Sequence, residues 1–168
     1  MNSKIQSAFN EQLNAELFSS YLYLSMSAYF ESQTLKGMAH WMRVQAQEEL
    51  QHAMKFFDFV NECGGRVLLD KVKEPKTEWS SAAEAFEEAC KHEAKVTGLI
   101  NDLVELSLAE KDHAANAFLQ WFVTEQVEEE ASAQEIRDKL TLVGSNPVAL
   151  FMIDRELGQR AAPASGTS

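Results

Sequence analysis

The sequence is poor in several things, and each shortage closes off a class of fold or function. Cysteine is nearly absent: Cys63 and Cys90 are the two in 168 residues, too few for a disulfide framework and not spaced as C-x-x-C. Proline (3) and glycine (7) are scarce, which argues against a loop-rich sandwich and for long uninterrupted elements. Positive charge is in deficit, with 15 Lys and Arg against 26 Asp and Glu and a formal net charge of -11. A nucleic-acid binder needs a basic face toward phosphate, and docking on anionic lipid needs the same. No apolar run approaches the ~18 residues of a membrane span. Met1-Asn2-Ser3-Lys4 leads into a mixed polar stretch without a signal-peptide core. The expectation is a cytoplasmic protein with no nucleic-acid and no membrane partner, whose acidic surface suits cations.

What is present is apolar residues on helical spacing. They make up 45% of the chain, so its acidity is not that of a disordered segment. Ser3 to Ser32 contains neither Gly nor Pro, and Ile5, Phe9, Leu13, Leu17, Tyr21 and Leu24 mark a first helix. Gln33-Thr34-Leu35 reads as a break. A second helix runs from Lys36 to Glu62 and stops at Cys63-Gly64-Gly65. Arg66 to Ser80, with Pro75, breaks periodicity and reads as a crossover longer than a hairpin needs. Ser81-Ala82-Ala83-Glu84 is a capping box for a third helix running towards Lys111. Asp112 caps a fourth, which ends at Gly144. Asn146-Pro147 opens a short fifth that reaches about Gln159. The fold class is all-α: a four-helix bundle of two hairpins joined by a long crossover between helices two and three, plus a short C-terminal fifth helix. One domain over residues 1–160 and a mobile tail over 161–168 are expected.

The informative residues are polar ones on the apolar stripes. Glu16 shares a face with Phe9 and Tyr23, and Glu93 with Phe86 and Ile100. Helix two carries Glu49-Leu50-Gln51-His52, a Glu-x-x-His pair pointing to one side; helix four carries Gln126 and Glu129, also three apart, on the stripe of Phe118, Phe122 and Ala133. A first hairpin turning near Thr34 sets Glu16 level with His52. A second turning near Lys111 sets Glu93 level with Glu129. The height of one hairpin relative to the other stays open. Carboxylates buried in one layer repel, and desolvation raises their pKa values, so they bind protons or cations. Oxygen ligands with a single imidazole suit an iron-class metal and disfavour structural zinc. A bridging Glu49 would explain a set larger than one metal needs, and Glu from two helices with a Glu-x-x-His is a di-iron arrangement. Two other readings remain at this point. One is a scaffold whose polar layer only fixes register. The other is a di-iron oxygenase or peroxidase, which would need a substrate pocket that the bulky Phe, Trp and Tyr stripe does not signal. Tyr23 reads either as a core tyrosine or as an electron donor beside the layer. His40, His92 and His113 read as surface or capping residues, and the six methionines as core filler.

Asn10-Glu11-Gln12-Leu13-Asn14-Ala15-Glu16-Leu17, Ala46-Gln47-Glu48-Glu49-Leu50-Gln51-His52, Lys91-His92-Glu93 and Phe118 through Glu130 together resemble the ferritins, most closely the bacterial non-haem ferritins. The resemblance spans about residues 3 to 160 and implies a ferritin-like bundle that stores iron and has ferroxidase activity, using dioxygen or hydrogen peroxide. It implies that Glu16, Glu49 and His52 hold a first iron, with Glu49 bridging, and that Glu93 and Glu129 hold a second. Gln126 matches a glutamine that helps hold oxygen species. Glu48, Glu125 and Glu128 match a third, weaker iron site, and Tyr23 and Trp121 match aromatic residues beside the centre. The family assembles 24 subunits into a hollow shell, with fifth helices meeting at four-fold axes. Relatives with haem carry a second Glu-x-x-His on helix four and a methionine where this chain has Leu50, so no haem is expected. Starvation-induced mini-ferritins lack the fifth helix, and rubrerythrins add a Cys-rich segment absent here.

Overall fold

Helix boundaries follow from local capping chemistry. In the computed structural model, which describes residues 1–163, α1 spans Ser3–Ser32, α2 Lys36–Glu62, α3 Ala82–Ala109, α4 His113–Val143 and α5 Pro147–Leu157. Asn2, Ser81, Asp112 and Asn146 each accept a backbone N–H of the helix they precede, which satisfies donors that have no partner within the helix. The Ser81 box is modified: Glu84 reaches back to the Ser80 N–H rather than to that of Ser81. Three helix ends share a six-to-one backbone bond, from Leu35 to Phe30 (3.0 Å), Gly65 to Val60 (2.8 Å) and Asp112 to Ser107 (2.9 Å). The left-handed residue in each is Thr34 (φ 60°), Gly64 (φ 70°) and Lys111 (φ 56°). Glycine makes that conformation free of steric cost at one of the three alone.

The architecture is the all-α bundle expected. α1 packs along α2 and α3 along α4, the two hairpins meet through α1 and α3, and α5 lies against α2 and α4. Residues 63–81 form the crossover, which runs beside α1. Gln6 and Asn10 accept the Arg66 and Leu68 N–H groups at 2.9 Å each, and Ser25 Oγ donates to the Lys76 carbonyl at 2.6 Å. Pro75 and Trp79 are its buried residues. Trp79 packs on Tyr29 and donates from Nε1 to Glu88 at 2.7 Å.

The apolar core is in two parts. One gathers Leu22, Tyr23, Met26, Met38, Met42, Phe86, Ala89, Ile136 and Leu140. The other gathers Ile5, Phe9, Leu13, Phe56, Val60, Val96, Ile100, Leu119 and Phe122. On every long helix the residues between the two parts are the polar ones singled out above, so a polar layer separates two apolar halves. Leu22, Tyr23 and Met26 carry the α1 stripe into the first half, whereas Tyr21 and Leu24 are each 50% exposed. Those two lie off the Phe9–Glu16–Tyr23 line and are not core.

α5 docks tightly on the start of α2. Leu35 gives α2 no side-chain cap, and Asp154 of α5 supplies one, accepting the Met38 N–H at 2.8 Å. A Cβ on Gly37 would lie 1.6 Å from the Asp154 carbonyl oxygen, so the approach requires glycine there. Among the described residues no helix is long and apolar enough to cross a membrane. Of the expected tail, Ala161–Pro163 is non-helical and 164–168 lie outside the described residues.

Candidate metal centre

The two hairpins sit at matching heights, which brings all four long helices to one layer. Glu16, Glu49, His52, Glu93, Gln126 and Glu129 are all buried there, none more than 6% exposed. Ligand atoms of Glu16, Glu49 and His52 lie within 4.8 Å of one another, and so do those of Glu49, Glu93 and Glu129. Glu49 is the residue these two sets share. His52 Nδ1 stands 3.3 Å from Glu49 Oε2. A third set joins His52, Glu125 and Glu129, with His52 Nε2 3.9 Å from Glu125.

Three glutamine amides serve the carboxylates. Gln12 Nε2 donates to Glu16 at 2.8 Å. Gln45 Nε2 donates to Glu49 at 3.0 Å and to Glu129 at 2.7 Å. Gln126 Nε2 faces Glu93 Oε2 at 3.2 Å and Thr97 Oγ1 at 3.3 Å, and Thr97 in turn donates to Glu130. Tyr23 donates its hydroxyl to Glu93. Glu16 Oε2 and Gln45 Oε1 are buried without a hydrogen-bond partner. A buried carboxylate oxygen without a donor is costly unless a proton or cation completes it, and an oxygen-rich set with one imidazole is chemistry that an iron-class cation fits.

The electrostatics express the same deficit. Burial, and then the charge of Glu49, hold Glu16 well above the carboxylate range. Burial and the charge of Glu49 push Glu93 up to about 8, and burial with Glu49 and Glu93 does the same for Glu129. Burial would raise Glu49 too, but the His52 hydrogen bond and charge, with the Gln45 amide, bring it below its usual value. His52 is raised because its bond to Glu49 and the charges of Glu49, Glu129 and Glu125 outweigh burial. Burial and mutual repulsion thus favour the protonated form of Glu16, Glu93 and Glu129, while His52 and Gln45 favour the ionised form of Glu49.

The remaining expected residues are placed less uniformly. Glu125 is half-buried within the third set. Glu48 is half-buried and paired with Arg160. Glu128 is exposed and belongs to none of the three sets. Trp121 is partly exposed, its ring edge-on to His52 at 5.3 Å, with Lys55 Nζ 4.4 Å above it. Leu50 is exposed on α2. His92 is not a surface residue: it is half-buried against Phe18 and Tyr23, 2.8 Å from Ser19 Oγ, and burial lowers its pKa. His40 is exposed and lies 2.8 Å from the Arg160 carbonyl; His113 is exposed at the start of α4. Sequence reasoning missed Gln12, Gln45 and Thr97. The signal for the first two was a glutamine four residues before Glu16 and before Glu49, one helical turn away on the same face.

Comparison with known proteins adds the following. A family model described as a ferritin-like domain matches residues 6–143. The bacterial non-heme ferritin of Bacteroides fragilis strain 638R is 47% identical over 160 residues, covering 95% of this chain and 99% of the relative. The bacterial non-heme ferritin of Escherichia coli O6:H1 is 42% identical over 148 residues, covering 88% and 90%. Among solved structures, the open-pore ferritin of the hyperthermophilic archaeon Archaeoglobus fulgidus superposes with a TM-score of 0.95 at 55% identity, covering 96% of this chain and 99% of that one. A closed form of the same ferritin, engineered by site-directed mutagenesis, gives a TM-score of 0.96 over 97% and 99%.

Proposed function

The chain belongs to the ferritin family, and from that premise we propose that its iron storage begins with oxidation of Fe(II) at the buried carboxylate layer. Fe(II) is substrate and cargo. Glu16, Glu49 and His52 would hold one ion, and Glu49, Glu93 and Glu129 the other. The observation that carries this reading is that two buried three-residue sets share Glu49, while Glu16, beyond its Gln12 amide, meets only another carboxylate, that of Glu49. A polar layer serving only to fix register would be expected to satisfy its own hydrogen bonds.

Two Fe(II) ions each give up one electron, and dioxygen takes both with two protons to become hydrogen peroxide. Hydrogen peroxide as oxidant takes two electrons and two protons to become water. Pairing the metals avoids one-electron oxygen chemistry. The protein's own part is to place five ligands without solvent, to hold Glu49 ionised against His52 and Gln45, and to give up the protons of Glu93 and Glu129 as cations enter. Tyr23, hydrogen-bonded to Glu93, and Gln126, which donates to the same carboxylate, orient that ligand. Ligation dominated by carboxylates leaves the ferric product free to exit and mineralise. We place the protein in the cytoplasm as a shell of 24 copies, without haem, with Glu125 beside a third, weaker iron position. The test is Fe(II) oxidation against a buffer control. Glu49→Ala and His52→Ala are expected to lose the fast initial phase, and full initial activity in both would overturn the assignment.

A further inference from the structure

One cation of the chain holds Glu48, which the resemblance assigns to a third metal position and which belongs to none of the three sets of ligand atoms. Arg160 follows α5 and reaches α2, where Nη2 pairs with Glu48 and Nη1 donates to the Trp41 carbonyl at 3.3 Å. Its guanidinium lies 4.3 Å from the centre of the Trp41 ring, a cation–π contact, and His40 Nε2 approaches its carbonyl at 2.8 Å. The paired side chains are only 21% and 25% exposed, so this is a largely desolvated pair, unlike a solvated surface bridge. Glu48 is close enough to His52, Glu49 and Glu125 for their charges to act on it, and His52 and Glu125 belong to the third set of ligand atoms.

Arg160 is built into this place. α5 is seated by Gly37 and by the Asp154 bond to the Met38 N–H, and the turn after it carries Arg160 N–H back to the Leu157 carbonyl at 3.3 Å. A guanidinium does not lose its proton in a protein, so raising the pH does not free Glu48. A metal that takes Glu48 must displace the arginine.

Resting on the reading of the buried layer as an iron site, we propose that Arg160 is an internal counter-cation that withholds Glu48 from metal, leaving the third position short of a ligand until the arginine is displaced. Glu125 alone then extends the site beyond the two principal sets. The chain is thereby set to keep fewer ions resident in each subunit and to pass product onward.

The test is an anaerobic titration of the full-length assembled protein with Co(II), followed by its visible absorption and counted per subunit. Arg160→Gln is expected to bind one further Co(II) per subunit than the wild type, and to lose that gain when combined with Glu48→Gln. Glu48→Gln alone is expected to leave the wild-type count unchanged. An unchanged count in Arg160→Gln, or the loss of an ion in Glu48→Gln alone, overturns the proposal while leaving the buried pair of metal positions intact. Should Arg160→Gln not fold, the Glu48→Gln count decides. A wild type that binds no Co(II) overturns the iron-site reading and this proposal with it.

Discussion

The side chains of the polar layer make stability depend on pH in a defined direction. Glu93 and Glu129 sit at about 8 in the folded chain, against a usual 4.5. Below 4.5 both folded and unfolded forms carry the proton, and the stabilising contribution is complete. Between 4.5 and about 8 the folded form keeps a proton that the unfolded form has released, so stability falls as pH rises through that interval. His52, raised above 6.5, adds a loss of the same sign as pH climbs through its own titration. Glu49, lowered, acts below 4.5, outside the window. The expected result is a melting temperature of the metal-free protein that declines across the interval, and a flat profile with saturating Co(II), which replaces the protons. Calorimetric scans at several pH values measure both. At this scale the sequence was most legible where charge fell on an apolar stripe, as at Glu16 and Glu93. Gln12 and Gln45 stayed hidden because an amide on a stripe carries no charge to raise suspicion. His92 stayed hidden because its burial depends on α1 residues about seventy positions away.

At the scale of elements, capping residues and breaks in periodicity made every helix visible within about two residues, although the start of α2 has no cap of its own. It did not reveal which residues take left-handed turns. Thr34 and Lys111 are ordinary residues in positions that glycine usually fills, and only the closure of each hairpin shows why they are held there. The docking of α5 was equally hidden, because the Asp154 cap on α2 joins residues 116 positions apart. That docking gives a sharp prediction. Gly37→Ala places a Cβ 1.6 Å from a backbone oxygen, which a side-chain rotation cannot relieve. The expected cost is about 3 kcal/mol, the upper end for overpacking, taken up by lifting α5 from α2. Limited proteolysis should then cut first in the linker at Gly144–Ser145, while the far-ultraviolet signal of the four long helices persists. A variant as resistant as the wild type would show that the approach is looser than its geometry indicates.

For the molecule as a whole, the relative height of the hairpins was the missing quantity. Each hairpin's own levels follow from its turn, but the crossover between them has no internal periodicity. Its path is fixed by contacts such as Gln6 and Asn10 to Arg66 and Leu68, which no local pattern announces. The outside of the subunit poses a second question. Val148, Phe151 and Met152 of α5 are 65–68% exposed, an apolar face on a chain of net charge -11. A helix docked on one side and apolar on the other is placed to meet copies of itself, in keeping with the proposed shell. Phe151→Asp puts a carboxylate on that face without touching the bundle core. The expected outcome separates two activities. Size-exclusion chromatography should show smaller species, and mineral retained per subunit should fall. The initial rate of Fe(II) oxidation should persist, because the ligands proposed for the metals come from α1 to α4 of one chain. A variant that stays shell-sized would show that α5 contacts do not hold the assembly. A variant that disassembles and also loses its initial rate would show that the centre depends on neighbouring copies.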